Sequence, residues 1–259
     1  MFKNRFLFVI IIFLFSGKPV SFSDTEIEIL YLCDVDGNFE FDQDGRSGIA
    51  TLSEYKRLER ERLEAENGQV FLFSSGNFFG KTKETGTVLK LLSLVPFDGI
   101  FLSDEDFSVL EKRPSVENMG SILLTSKKNS KGFESEKRIQ FRNLNLVFSE
   151  TFPDSSSNGK INAKLIFSVA NDIPENIRTA PLHPPEIYFI RKSKLSSYFY
   201  RQGVYFAYCP DRSGEIGKLN LYFRDGRLIR NRQEFVYMNI TDQGRSWIDP
   251  NRNIVHELK

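Results

Sequence analysis

The sequence predicts an α/β fold, a layered sandwich of two sheets, and three observations carry that expectation. Three apolar runs, Ile27–Cys33, Val70–Phe73 and Ile100–Leu102, each end in a polar tip. The tips read Asp34-Val35-Asp36-Gly37, Ser74-Ser75-Gly76-Asn77 and Ser103-Asp104-Glu105-Asp106. Strands that unload polar residues at their carboxyl ends form the site edge of an α/β protein. Helical patterns separate these runs, and strand–helix–strand–helix–strand order implies parallel pairing through right-handed crossovers. After Phe107 the character changes to short β-like runs separated by polar stretches, which fits a second sheet better than a doubly wound single one.

Taken in order, Thr25–Cys33 is a central strand rich in Ile, Leu and Tyr. Asn38–Arg46 is a polar loop. Gly48–Asn67 is helical, with Ile49, Leu52, Tyr55, Leu58 and Leu63 as its apolar stripe. The mixed-sign run Lys56–Glu66 reads as a solvated helix face with i,i+4 pairs, and Gly68 ends the helix. Val70–Phe73 is the second strand, and Thr85–Val95 is a helix stopped by Pro96. Later strands are expected at Ser121–Thr125, Ile139–Phe141, Leu144–Phe148, Lys164–Val169, Ile187–Ile190, Val204–Tyr208 and Lys218–Phe223. Arg224–Arg227 is a hairpin turn, and residues beyond about 240 form a loosely packed tail.

At 259 residues the chain holds one core, and 40% hydrophobic with 27% charged residues is a globular composition. Lys3 and Arg5 precede the apolar block Phe6–Phe15, and small residues follow at Ser21 and Ser23. That is the pattern of a secretory signal over residues 1–23, cut before Asp24, and it places the protein in the periplasm or outside the cell. The alternative, an uncleaved membrane anchor, needs nearer twenty apolar residues. Cleavage removes three of the 35 basic residues and no acids, leaving 32 against 34. So even a balance argues against nucleic acid as a partner. Cys33 and Cys209 are the two cysteines, and the sequence leaves open whether they are bridged or buried as thiols.

The Asp34-Val35-Asp36-Gly37 tip resembles the first motif of the haloacid-dehalogenase-type phosphatases, but that leaves the β-rich second half unaccounted for. A longer match runs through Asp34–Phe39, Gly48–Leu52, Gly76–Gly80, Phe97-Asp98, Leu102–Phe107, Glu186–Lys194 and Gly217-Lys218-Leu219. In order and spacing these resemble the N-terminal domain of the 5′-nucleotidase branch of the calcineurin-like metallophosphoesterases. That resemblance implies a four-layer α/β/β/α sandwich. It also implies a site in which His, Asp and Asn side chains hold two divalent metals that bind phosphate and activate water.

Against that pattern, only Asp34 keeps its ligand identity. Asp36 stands where a His ligand belongs and Asn77 where the bridging Asp belongs. Asp104 replaces an Asn ligand and Glu105 the His that serves the transition state. Lys192 and Lys194 replace the last two His ligands, and an ammonium offers a metal no lone pair. His183 and His256 lie outside the motifs. The expectation is therefore a single domain over residues 24–259 with no catalytic residues, no metal and no cofactor. Its role would be binding or structural, with protein partners in an extracytoplasmic assembly, for example a sheath of periplasmic flagella. The acids and Arg191, Lys192 and Lys194 would either pair in an internal salt-bridge cluster or point apart into water. The rival expectation is a residual phosphoesterase with one metal at Asp34, Asp36 and Asp104.

Overall fold

The computed structural model describes residues 24–35, 39, 48–79, 85–110, 122–125, 133–150, 160–167, 184–190, 204–210, 215–237 and 248–258. Strand β1 (Thr25–Cys33) leads to helix α1 (Ile49–Ala65), β2 (Gln69–Gly76), α2 (Thr85–Leu94), β3 (Gly99–Leu102), α3 (Asp104–Leu110) and β4 (Leu123–Leu124). Seven strands follow: β5 (Glu136–Phe141), β6 (Leu144–Ser149), β7 (Ala163–Phe167), β8 (Glu186–Ile190), β9 (Val204–Tyr208), β10 (Glu215–Arg224) and β11 (Arg227–Tyr237). Helix α4 (Arg252–Leu258) closes the described chain.

The strands form a six-stranded sheet, β11-β10-β1-β2-β3-β4, and a five-stranded sheet, β5-β6-β7-β8-β9. In the first, β1 to β4 run parallel, and β10 lies antiparallel to β1. In the second, β5 and β6 form an antiparallel pair and β6 to β9 run parallel.

Period-two alternation divides the core. On β1, Ile27, Ile29 and Tyr31 face the second sheet, and Leu30 and Leu32 face the helices. Between the sheets an aromatic row runs from Phe73, stacked on Phe148 at 4.2 Å, through Phe167 to Phe189, stacked at 4.0 Å. On the helix side, Ile49, Leu52 and Leu63 of α1, Val88, Leu91 and Leu92 of α2 and Ile254 of α4 belong to one apolar cluster. Three layers are thus described, α/β/β. The fourth, expected as helices over the second sheet, falls on the links between β6, β7, β8 and β9, outside the described residues.

Four differences from the expectation have physical causes. Lys56 is not on a solvated face: it is 1% exposed, donates to Asp98 at 2.5 Å and to the Pro96 carbonyl, and so ties α1 to the turn before β3. The rest of that run does pair along α1, as Arg57 with Glu61 and Arg62 with Glu66. The α1 C-terminus takes its left-handed residue at Asn67 (φ 63°), one position before Gly68. Gly68 N–H then bonds Leu63 O at 2.7 Å. β11 is a strand the sequence pattern hides, because a bulge at Ile229 breaks its two-residue alternation. Finally, α4 is docked rather than loose: Ile254 is fully buried and Asn251 N–H donates to Ala50 O at 3.2 Å.

A polar inset interrupts the helix-side core. Glu28 of β1 is fully buried and faces Lys218 of β10 at 2.9 Å and Arg62 of α1 at 3.1 Å. Lys218 also reaches Glu59 at 3.3 Å and the Tyr55 hydroxyl at 3.2 Å.

Candidate functional site

The polar tips of β1, β2 and β3 meet at one edge of the first sheet, because β1 pairs β2 in parallel as far as Cys33↔Ser75 and β2 pairs β3 as far as Gly76↔Leu102. Asp34 leaves β1 in a left-handed conformation (φ 50°) that Asp tolerates better than most residues. Its N–H donates to Ser75 O at 2.9 Å. Gly76 turns the end of β2 at φ 83°. The Asn77 N–H then donates to Asp34 Oδ1 at 3.2 Å.

Asp106 organises the next turn. Its carboxylate accepts the N–H groups of Phe78 and Phe79, both at 2.9 Å, and that of Ser103 at 3.3 Å. In return the Ser103 hydroxyl accepts the Asp106 N–H at 3.1 Å, a reciprocal cap on α3. Burial pushes the Asp106 carboxyl up, and the three N–H groups pull it down. Asp104 and Glu105, in the same first turn, are exposed and lie on the other side of α3.

The second sheet is fastened beside this edge. Cys33 is bonded to Cys209, which follows β9, with the two Cα atoms 5.8 Å apart. The Ser75 hydroxyl donates to Cys33 Sγ at 3.7 Å. One step earlier, the Tyr31 hydroxyl donates to Tyr208 O at 2.7 Å, and the Gln233 amide bonds both groups. Gly217 makes room for this arrangement, since a Cβ there would meet the Tyr31 ring at 2.0 Å.

Of the residues singled out from the sequence, the structure brings Asp34 and Asn77 into contact and places Asp104 and Glu105 on the neighbouring turn. Asp36, Lys192 and Lys194, like Arg191 and His183, lie outside the described residues. His256 is exposed on α4. Asp106 stands apart from its acidic neighbours because its carboxylate bonds three backbone N–H groups, a role signalled in sequence by the Ser-x-x-Asp spacing of Ser103 and Asp106.

Where the resemblance expects a bridging Asp, Asn77 offers a neutral amide, and Asp34 Oδ1 accepts its backbone N–H. Among the described residues no group of three or more His, Cys, Asp or Glu side chains is placed to hold an ion.

No protein-family model and no curated protein matches the sequence. Solved structures do. The sulfate thiohydrolase SoxB of Thermus thermophilus superposes with a TM-score of 0.61 at 11% identity, over 90% of this chain and 59% of that one. A 5′-nucleotidase of Candida albicans gives 0.57 at 11%, over 83% and 52%. The NAD nucleotidase of Haemophilus influenzae gives 0.51 at 13%, over 91% and 55%. This chain thus spans little more than half the length of each. The order of partial motifs, the two-sheet topology and these superpositions agree that the chain has the α/β sandwich fold of the calcineurin-like metallophosphoesterases.

Proposed function

We propose that this protein is an exported, non-catalytic member of that fold, retained for binding or structure. One observation carries the reading: at the site edge Asn77 replaces the bridging carboxylate and its N–H occupies Asp34 Oδ1. Phosphoester hydrolysis in this fold needs metal to bind phosphate and to lower the pKa of the attacking water. Asp34 alone supplies neither function. The Asp106 cradle and the Cys33–Cys209 bridge support the same reading, because they hold the edge together with protein bonds.

The partners are proteins of an extracytoplasmic assembly, and a sheath around periplasmic flagella is the kind of structure such a subunit suits. Among the described residues no helix is long and apolar enough to cross a membrane. The test is co-purification from the native envelope, together with assay of the purified chain on a generic phosphodiester and on nucleotides with Mn²⁺. Recovery with stoichiometric protein neighbours and no turnover is expected. Turnover abolished by Asp34→Ala would instead establish a residual phosphoesterase.

A further inference from the structure

The far edge of the first sheet carries an unusual side-chain arrangement. β11 is the outermost strand there, with no partner on its outer side among the described residues. The β10–β11 ladder shifts register between Tyr222 and Phe223, so that Arg224 opposes Arg227, Phe223 opposes Leu228, Tyr222 opposes Arg230 and Asn220 opposes Arg232. Ile229 is the extra residue of this bulge and is 47% exposed.

The bulge decides where the arginines point. Arg227 and Arg230 are three residues apart and in a regular strand would face opposite ways. The extra residue returns both to one face, that of Tyr222, Asn220 and Arg232. Arg224 joins them as the cross-strand partner of Arg227. This is the face that carries Lys218 and α1, beyond the reach of the helix.

Two of these charges are answered within the chain: Arg224 pairs with Asp24 at 2.8 Å, and Arg232 with Glu234 at 3.2 Å. Arg227 and Arg230 have no carboxylate partner among the described residues. Arg230 lies over the Tyr222 ring at 4.4 Å, which fixes the guanidinium plane and leaves its N–H edges for a ligand. The nine residues of β1 separate this patch from Asp34 by about 30 Å, so it belongs to a different part of the surface.

We propose that β11 is a docking edge for an extended acidic segment of a partner protein. The segment adds as a strand along β11, and its carboxylates at alternate positions pair with Arg227 and Arg230. This rests on the reading of a protein-binding scaffold and names the chemistry of the partner.

The test uses the full mature chain and three labelled peptide probes of equal length in fluorescence anisotropy, with a labelled single-stranded oligonucleotide and phosphatidylglycerol vesicles as comparisons. The first is a ten-residue peptide alternating Glu with Val, the second the same peptide with two of its valines replaced by proline, and the third an alternating Lys-Val peptide. The Glu-Val peptide should bind at least ten-fold more tightly than either control. Arg227→Glu with Arg230→Glu should lose at least ten-fold for Glu-Val and gain for Lys-Val, with an unchanged circular dichroism spectrum. Arg227→Gln with Arg230→Gln, which adds no repulsion, should lose a smaller part of the same affinity. Absence of binding would overturn the proposal. So would equal binding of the proline-interrupted peptide, or tighter binding of a single-stranded oligonucleotide or phosphatidylglycerol vesicles, since those responses need charge without strand addition. None of these outcomes depends on metal or turnover, so this proposal can fail while the non-catalytic reading stands.

Discussion

Cys33 and Cys209 are bonded to each other across the two sheets, 176 residues apart in the chain, immediately before Asp34. The bridge ties the last residue of β1 to the residue after β9, where the Tyr31 hydroxyl already bonds Tyr208 O. A covalent link thus joins the two sheets at the site edge. Closing so long a loop constrains the unfolded chain strongly, by about 5 kcal/mol in the loop-entropy account. Cys33→Ala with Cys209→Ala should therefore lower unfolding free energy by about 2–5 kcal/mol, read from urea titration. An unchanged midpoint would remove the bridge from the account of how the edge is held.

Asp106 should behave as a structural carboxylate. Asp106→Ala leaves the N–H groups of Phe78 and Phe79 buried without acceptors, at a cost of about 2–4 kcal/mol. Glu105→Gln, which removes one unit of charge from an exposed position on the same turn, should stay within about 0.5 kcal/mol. Thermal unfolding of both variants separates the two roles.

Stability should fall as pH rises through neutrality. Burial pushes the Glu28 carboxyl up to about 7, against the pull of Lys218 and Arg62. A folded-state value raised above the unfolded one means the contribution is fully present below about 4.5 and is lost as pH rises through about 7. The groups facing it are Lys218 of β10, Glu59, Arg62 and Tyr55 of α1, Glu26 of β1 and, through Lys218, Glu234 of β11. The difference between pH 5 and pH 8 should reach up to about 3 kcal/mol. Glu28→Gln should flatten it, and urea midpoints across that range are the measurement.

Lys56 and Arg57 are neighbours in sequence with opposite expected costs. Lys56→Ala removes the buried partner of Asp98 and should cost about 3 kcal/mol. Arg57→Ala loses only exposed pairs with Glu54 and Glu61 and should cost less than about 1 kcal/mol. Equal midpoints for the two variants would show that the Lys56–Asp98 pair contributes nothing.

These contrasts explain what the sequence could and could not reveal. The site edge was legible because Asp34, Asn77 and Asp104 each follow an apolar run, and local pattern marks a strand end. Lys56 was not, because nothing local distinguishes it from Arg57: its burial is decided by Pro96 and Asp98, some forty residues on. The fastening of Cys33 to Cys209 depends on how two sheets meet, which spacing cannot encode. β11 escaped because its arginines are aligned by a bulge rather than by simple alternation. Asp106 lay within the acidic cluster already noted, but its role follows from burial, not from charge.

Calorimetric titration of the purified, metal-stripped chain with Mn²⁺ decides whether the edge around Asp34 assembles a metal centre. A non-catalytic edge gives no saturable heat at stoichiometric Mn²⁺ and an identical trace for Asp34→Ala. One or more equivalents bound by the wild-type chain and lost in Asp34→Ala would contradict the non-catalytic reading.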